Sequence, residues 1–300
     1  MSRLPRPLMT TSTAAGNAED SEAGSSVGLI GTTGARPGAL GFLTDTTLCI
    51  GCKACEVACK QWNQLPMDGL ELTANSYDNT RDLGATTWRH VAFIEQMDGA
   101  DGRAPTELPP FQSHWLMQSD VCKHCVNAGC LEACPTGAII RTEFDTVVIQ
   151  QDICNGCGYC VPACPFGVPD LSPTDRKAHK CTLCYDRMKD GLEPACAKAC
   201  PTDSIQFGPV DALMARARER VGSLRERGVA GAYIYGDRAV GGTGEIDGLN
   251  AFFILTAPPE VYNLPNRPEL PQRKTFPASW STVAAAAALG VAAIFSLRGR

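Results

Sequence analysis

Sixteen cysteines fall into four groups of four: Cys49-x2-Cys52-x2-Cys55-x3-Cys59, Cys122-x2-Cys125-x4-Cys130-x3-Cys134, Cys154-x2-Cys157-x2-Cys160-x3-Cys164 and Cys181-x2-Cys184-x11-Cys196-x3-Cys200. None is left over. A C-x2-C-x2-C loop folds three thiolates around one iron–sulfur cube, and soft sulfur ligands are what that iron takes. A disulfide framework belongs to small secreted domains and does not require these short, repeated gaps. Zinc ribbons separate two C-x2-C pairs by a longer spacer, and only group four has that look. A [3Fe–4S] cluster would leave a ligand position empty, and none is empty. The spacing therefore predicts four [4Fe–4S] clusters.

Pro135, Pro165 and Pro201 follow the last cysteine of groups two, three and four, completing the bacterial ferredoxin signature three times; group one has Lys60 instead. In two-cluster ferredoxins the fourth cysteine of a run ligates the other cluster. Applied here, that crossing gives one cube to Cys122, Cys125, Cys130 and Cys164 and its partner to Cys134, Cys154, Cys157 and Cys160. Groups one and four bracket these, so the outer pair takes Cys49, Cys52, Cys55 and Cys200, then Cys59, Cys181, Cys184 and Cys196. The expected fold class is α+β: two interleaved ferredoxin-like two-cluster units, rich in loops, with a candidate C-terminal transmembrane helix.

Between the cysteines the chain reads as short elements. Gly51 permits a tight loop, and Ala54, Val57 and Ala58 suit a short helix beneath the first cluster. An insertion over 61–119 carries one clear strand at 90–97 and reads as a cover or docking surface. Strands at 138–141 and 146–149 flank a turn at 142–145, a hairpin that makes groups two and three neighbours. After group four come a strand at 204–207 and an amphipathic helix over 210–227, with Val210, Leu213, Met214, Ala217, Val221 and Leu224 as its apolar stripe and Gly228 as its stop. The domain expectation is a disordered segment 1–41, then a four-cluster domain 42–270. The latter contains an inner unit 120–170 and an outer unit from 42–60 and 176–208.

Residues 271–300 read as a linker and a helix. Positions 280–297 hold no charge, with Arg273 and Lys274 before and Arg298 and Arg300 after. That length just reaches a bilayer span, and the closing arginines favour a cytoplasmic C-terminus with the cluster domain on the outer face. Residues 1–41 lack the apolar run of a secretory signal, and Arg3 and Arg6 are not a twin-arginine pair, so export would rely on a partner. A net charge of −5 without a basic run interleaved with aromatics argues against a nucleic-acid partner.

No nucleophile–base signature, phosphate loop or dinucleotide fingerprint marks a substrate site. What remains for the chain is to space and tune clusters, whose potentials depend on hydrogen bonds to sulfur, burial and nearby charge. Lys53, Lys123 and Lys180 adjoin ligand cysteines and are candidate cofactor-tuning cations; the plain alternative is solvated surface charge. His124, between Cys122 and Cys125, either bonds a sulfur or faces solvent. His90, His114 and His179 show no pairing that suggests haem.

Beyond the cysteines, Cys49-Ile-Gly-Cys-Lys-Ala-Cys55 with Trp62-Asn63, then Tyr77-Asp78-Asn79, Asp82-Leu83 and Trp88, resemble one family in particular. So do Lys180-Cys-Thr-Leu-Cys184 with Asp186-Arg187, Glu193-Pro-Ala-Cys196, and Val240-Gly-Gly-Thr243. From about Leu43 onward the chain resembles the β, iron–sulfur subunit of membrane-bound respiratory formate dehydrogenase. The cysteine order alone is shared with subunits of other molybdopterin oxidoreductases and with hydrogenase partners. A shorter loop at Pro135-Thr136-Gly137-Ala138 departs from the family pattern and touches no ligand position. The resemblance implies a non-catalytic electron-transfer subunit, with a molybdenum- or tungsten-pterin α subunit oxidising formate. A membrane cytochrome b γ subunit and quinone would receive the electrons. It also implies that the cluster of Cys49, Cys52, Cys55 and Cys200 faces the α subunit, and that a C-terminal helix anchors the chain. The rival readings are another oxidoreductase of this class and a free polyferredoxin, which would lack the insertion and the tail.

Overall fold

The computed structural model describes residues 38–70, 72–74, 77–96, 114–237 and 244–298. The Val240–Thr243 motif and the region before residue 38 lie outside them. The described residues belong to one compact unit.

A four-stranded sheet forms the base. Its strands are β1 (Leu40–Asp45), β8 (Ile205–Pro209), β9 (Tyr233–Tyr235) and β10 (Ala251–Leu255), in the order β8-β1-β10-β9. β1 pairs parallel with β10 and antiparallel with β8. The strand therefore begins at Leu40, slightly before the expected boundary at Phe42. β10 is an unbroken apolar run, Ala-Phe-Phe-Ile-Leu, because both faces of the sheet are covered. Alternation along β1 sends Leu43 to one face and Phe42 to the other.

Helix α6 (Val210–Glu226) covers the first face. Val210, Leu213, Ala217, Val221 and Leu224 are buried as the helical period predicts, the Val and Leu side chains contributing about 1.5–3 kcal/mol each, while Met214 sits at the margin. Gly228, with φ of 93°, ends the helix as expected. Replacing Leu213 by Ala would open a cavity costing about 2–5 kcal/mol. On the second face, Phe42, Ile205 and Ala251 pack among Cys55, Cys122, Cys181 and Cys196. The cysteine region therefore takes the place of a second apolar layer.

The expected strand at 90–97 is β2 (Arg89–Gln96). It pairs over its whole length with β3 (His114–Val121), a strand hidden by the consecutive polar residues Gln118, Ser119 and Asp120. The hairpin of β4 (Ile139–Arg141) and β5 (Val147–Ile149) forms as read. β6 (Asp170–Leu171) and β7 (Ala178–His179) make a further short ladder. Asn250, fully buried, donates to the Asp145 carbonyl at 2.8 Å and ties the β4–β5 turn to β10. The Ala251 N–H donates to the Lys123 carbonyl at 3.0 Å, which fixes group two on the same strand.

Short helices carry the fourth cysteine of each group or end beside it: α1 (Ala54–Trp62), α2 (Gly129–Glu132), α3 (Cys160–Ala163) and α5 (Ala195–Lys198). α4 (Tyr185–Lys189) follows Cys184. α1 buries Cys55, Glu56 and Cys59; Val57, expected to pack beneath the cluster, is exposed. The reason is that the sulfurs, not the aliphatic side chains, face inward. α7 (Pro271–Arg298) leaves the body beside α2 and α3. Its first turn is held there by Gln272 and Arg273, which both bond Glu132.

Candidate cluster sites

Each C-x2-C loop turns in the same way. The residue before the second cysteine has a left-handed backbone in all four: Gly51, His124, Gly156 and Leu183, with φ between 43° and 73°. Two are glycine, for which this costs nothing; His124 and Leu183 carry a cost of about 1–2 kcal/mol each. The turn aims backbone N–H groups at sulfur. Leu183 N–H donates to Cys181 Sγ at 3.3 Å. The Gly51 N–H does the same for Cys49, and those of Phe166 and Val168 for Cys164.

The loops bring together cysteines that are far apart in sequence. A small cavity is lined by Cys49, Cys52, Cys55 and Cys200, with Ser119 and Lys53 in its wall. Another is lined by Cys59, Cys181, Cys184 and Cys196, with Arg89 and Asn63. Cys125 and Cys130 both lie within electrostatic reach of Cys122 and Cys164. Cys160 lies within reach of Cys154, Cys157 and Cys134. Among the described residues, no three His, Cys, Asp or Glu side chains converge closely enough for a single metal ion. Four thiolates spread around a cavity suit a cube, with one iron at each ligated corner. The residues present thus fit [4Fe–4S] clusters.

Three electrostatic neighbours link cysteines of different groups. Cys55 is within electrostatic reach of Cys196, Cys181 of Cys122, and Cys130 of Cys160.

Burial pushes most of these thiols up. Cys55, Cys184 and Cys160 rise to about 11 and Cys130 to about 12, with Arg89 opposing at Cys55 and Lys180 at Cys130. At Cys134 slight burial is outweighed by hydrogen bonds from Thr136 and from the Ile139 and Ala138 N–H groups, so its thiol lies below the usual range. Buried thiolates need compensating charge, and cationic iron supplies it.

The candidate tuning residues divide. Lys123 and Lys180 are 1 % and 2 % exposed, so neither is surface charge. Lys123 pairs with Asp120 at 2.6 Å and lies over the Phe166 ring. Lys180 donates to the carbonyls of Val147 and, at 3.0 Å, Cys181. Burial alone would lower its pKa, but Cys122, Cys130 and Cys181 outweigh that and raise it. Lys53 is partly exposed and pairs with Asp78 at 3.3 Å and Glu56 at 3.5 Å. His124 does not face solvent: it is fully buried, and its Nδ1 accepts from the Val147 N–H at 3.1 Å. Burial, followed by Lys180 and Arg141, keeps its pKa well below the ordinary value. His90 pairs with Asp78 at 2.6 Å.

Sequence reasoning missed several residues around sulfur. Ser119 Oγ lies 3.2 Å from Cys55 Sγ, and Asn63 Nδ2 lies 3.6 Å from Cys59 Sγ. Arg89 is fully buried, and its Nη2 donates to Cys196 Sγ at 3.4 Å. Only Thr136 and Thr202 left a signal, since each follows a Cys-Pro pair and each hydroxyl lies beside its cysteine, at 3.6 and 3.7 Å.

Comparison with known proteins agrees with this chemistry. Two family profiles, each described as a 4Fe-4S dicluster domain, match residues 48–138 and 113–210. Two dicluster domains and sixteen cysteines give four [4Fe–4S] clusters. The formate dehydrogenase-O iron-sulfur subunit of Escherichia coli is 40 % identical over 261 residues, covering 85 % of this chain and 79 % of that protein. The formate dehydrogenase iron-sulfur subunit of Haemophilus influenzae is 40 % identical over 234 residues, 76 % of this chain and 69 % of that one. A subunit of the anaerobic dimethyl sulfoxide reductase of Escherichia coli is more distant, at 34 % over 176 residues, 58 % of this chain and 75 % of its own length.

Proposed function

This chain belongs to the family of formate dehydrogenase iron–sulfur subunits, and from that membership we propose that it conducts electrons along a row of four clusters in a formate-oxidising complex. The proposed order runs from the site of Cys49, Cys52, Cys55 and Cys200 to that of Cys59, Cys181, Cys184 and Cys196. It continues through Cys122, Cys125, Cys130 and Cys164 to Cys134, Cys154, Cys157 and Cys160. The observation that carries this order is the set of three crossings, Cys55 to Cys196, Cys181 to Cys122 and Cys130 to Cys160. On this reading the chain is two interleaved ferredoxin-like units, an inner one over 120–170 and an outer one from 42–60 and 176–208.

Each bound cluster supplies a site that takes up and releases one electron, so the two electrons of formate pass singly. The chain's own residues hold the thiolates at fixed separations and direct N–H and O–H groups at sulfur. They also exclude water from the sites: Cys55, Cys59, Cys181 and Cys196 are all buried. The two ends of the row are the more open. Cys52 and Cys157 are exposed, with Ile50 beside the first and Ile153 and Tyr159 beside the second. We assign the first end to a molybdenum- or tungsten-pterin catalytic subunit. The second end lies where α2 and α3 meet the root of α7, and we assign it to a membrane cytochrome b and quinone. α7 is long and apolar enough to cross a bilayer, with mean hydropathy 1.4 and none of that stretch buried. Arg298 and Arg300 favour a cytoplasmic end, which leaves the clusters on the outer face.

The test is native purification of the complex followed by anaerobic substrate addition. Formate reduces the clusters; nitrate and thiosulfate leave them unchanged. A complex without a pterin subunit, or clusters that formate does not reduce, overturns the reading.

A further inference from the structure

Arg89 sits at the junction of the first two cysteine sets. It is 1 % exposed, the largest fully buried side chain among the described residues. Most other buried or half-buried cations have a carboxylate: Lys53 has Asp78, Lys60 has Asp68, Lys123 has Asp120, Arg141 has Asp145 and Arg220 has Asp45. Among the described residues, no carboxylate lies within ion-pair distance of Arg89. A guanidinium does not lose its proton in proteins, and a buried charge without compensation is strongly disfavoured. Something anionic must therefore face it.

The geometry shows what that is. Nη2 donates to Cys196 Sγ at 3.4 Å, and Nη1 donates to the Ser119 carbonyl at 3.1 Å and lies 3.3 Å from Ser119 Oγ. That hydroxyl lies 3.2 Å from Cys55 Sγ. A continuous bridge runs from Cys196 through Arg89 and Ser119 to Cys55, joining the two cavities. Phe42 lies under the guanidinium, with its ring centroid 4.8 Å away, and shields it from water.

We propose that Arg89 is the shared counter-ion of the two clusters at Cys49, Cys52, Cys55, Cys200 and at Cys59, Cys181, Cys184, Cys196, and that its fixed charge raises the reduction potential of both. The inference rests on the ligand sets proposed above. Each reduction adds one electron, delivered by the neighbouring cluster or by a chemical titrant. No bond to the chain forms or breaks, and Arg89 keeps its proton. The added negative charge lies beside a cation that solvent cannot screen, which favours the reduced form.

The test is an anaerobic redox titration of the intact complex, followed by electron paramagnetic resonance. Arg89→Met lowers two of the four midpoints, shifting each reduction equilibrium by about tenfold, or ~59 mV for one electron. The other two stay in place. Arg89→Lys keeps the charge and holds both midpoints within about threefold of the natural protein in equilibrium constant, ~30 mV. Unmoved midpoints in Arg89→Met overturn the proposal, as does an equal fall at all four. Where Arg89→Met does not assemble, Arg89→Lys decides alone: midpoints held support the charge role, and a fall at either site overturns it. Failure of the ligand sets is separable. Cys49→Ser and Cys200→Ser must perturb one and the same signal, and Cys59→Ser and Cys196→Ser another, whatever Arg89 does.

Discussion

Ser119 places its hydroxyl 3.2 Å from the sulfur of Cys55, although 64 positions separate them and Ser119 lies in the strand that closes the insertion. The insertion thus supplies part of the wall of the cavity that Cys55 lines. A hydrogen bond to a thiolate stabilises the more negative, reduced state. Ser119→Ala removes it with little change of volume. The midpoint of the Cys49, Cys52, Cys55, Cys200 site should fall by about 20–40 mV, from ~0.5–1 kcal/mol of lost bonding. Redox titration should find the two inner-unit sites unmoved.

The lysines should not act alike. Lys53 faces Asp78 and Glu56, and Lys123 faces Asp120, so each charge is largely cancelled locally. Lys180 has carbonyl partners and, among the described residues, no carboxylate. Lys180→Met should lower the midpoints of the adjoining sites, those of Cys181 and Cys122. Lys53→Gln and Lys123→Gln should shift theirs by less than half as much. Equal shifts from all three would show that the carboxylates do not matter.

Distance along the chain decides which of these residues could be read in advance. Cysteine spacing is covalent and local, so the four cysteine groups, the β4–β5 hairpin and α6 were visible as patterns over a few residues. Arg89 and Ser119 reach sulfur across 107 and 64 positions and carry no signature in their own segments, whereas Asn63, 4 positions from Cys59, stood in the Trp62-Asn63 motif without its bond to sulfur being read. β3 was hidden for a related reason: it buries polar Gln118 and Ser119, and Ser119 faces the Cys55 sulfur rather than an apolar core. Val57 was misplaced because a helix rule that seeks aliphatic stripes overlooks cysteines as the buried face.

The turn at group three should tolerate no side chain. Gly156 has φ of 73°, and a Cβ there would lie 2.3 Å from the Arg176 carbonyl oxygen, which is backbone and cannot swing aside. Gly156→Ala should therefore cost the Cys154, Cys157 site, read as a loss of about one cluster's iron in the folded complex. Gly137, with φ of 69° but open space around it, is the control. Gly137→Ala should cost only about 1–2 kcal/mol of backbone strain and keep the full iron content.

Acid should loosen the insertion first. At Asp68 partial burial opposes ionisation, but Lys60, Thr87 and Thr86 outweigh it; at Asp78 the Thr80 N–H, His90 and Lys53 do the same. Both carboxylates end below their ordinary value of 3.8. A depressed acid stabilises the fold fully above its unfolded pKa and loses that contribution as pH falls through the folded one. Hydrogen exchange over 61–96 should accelerate as pH drops below about 4, ahead of the β1–β10 ladder. Asp78→Asn should show part of this loosening already at neutral pH.

The tail offers a separable test, because its attachment and its apolar length use different residues. Gln272 and Arg273 bind Glu132, and the backbone N–H of the buried Leu270 donates to the Glu245 carboxylate, so the root of α7 belongs to the cluster body. Beyond it, Trp280, Val283, Leu289, Val291 and Ile294 are all more than half exposed. Apolar surface of that extent on a helix of 28 residues is stable only if lipid or another helix covers it. Ending the chain after residue 278 keeps the root and removes the span. The shortened complex should retain its iron and its four midpoints, yet leave the membrane fraction on alkaline washing more readily than the full chain. If it remains bound as firmly, the anchor lies in a partner subunit and α7 is a packing helix; if iron is lost as well, the helix supports the fold of the last cluster site.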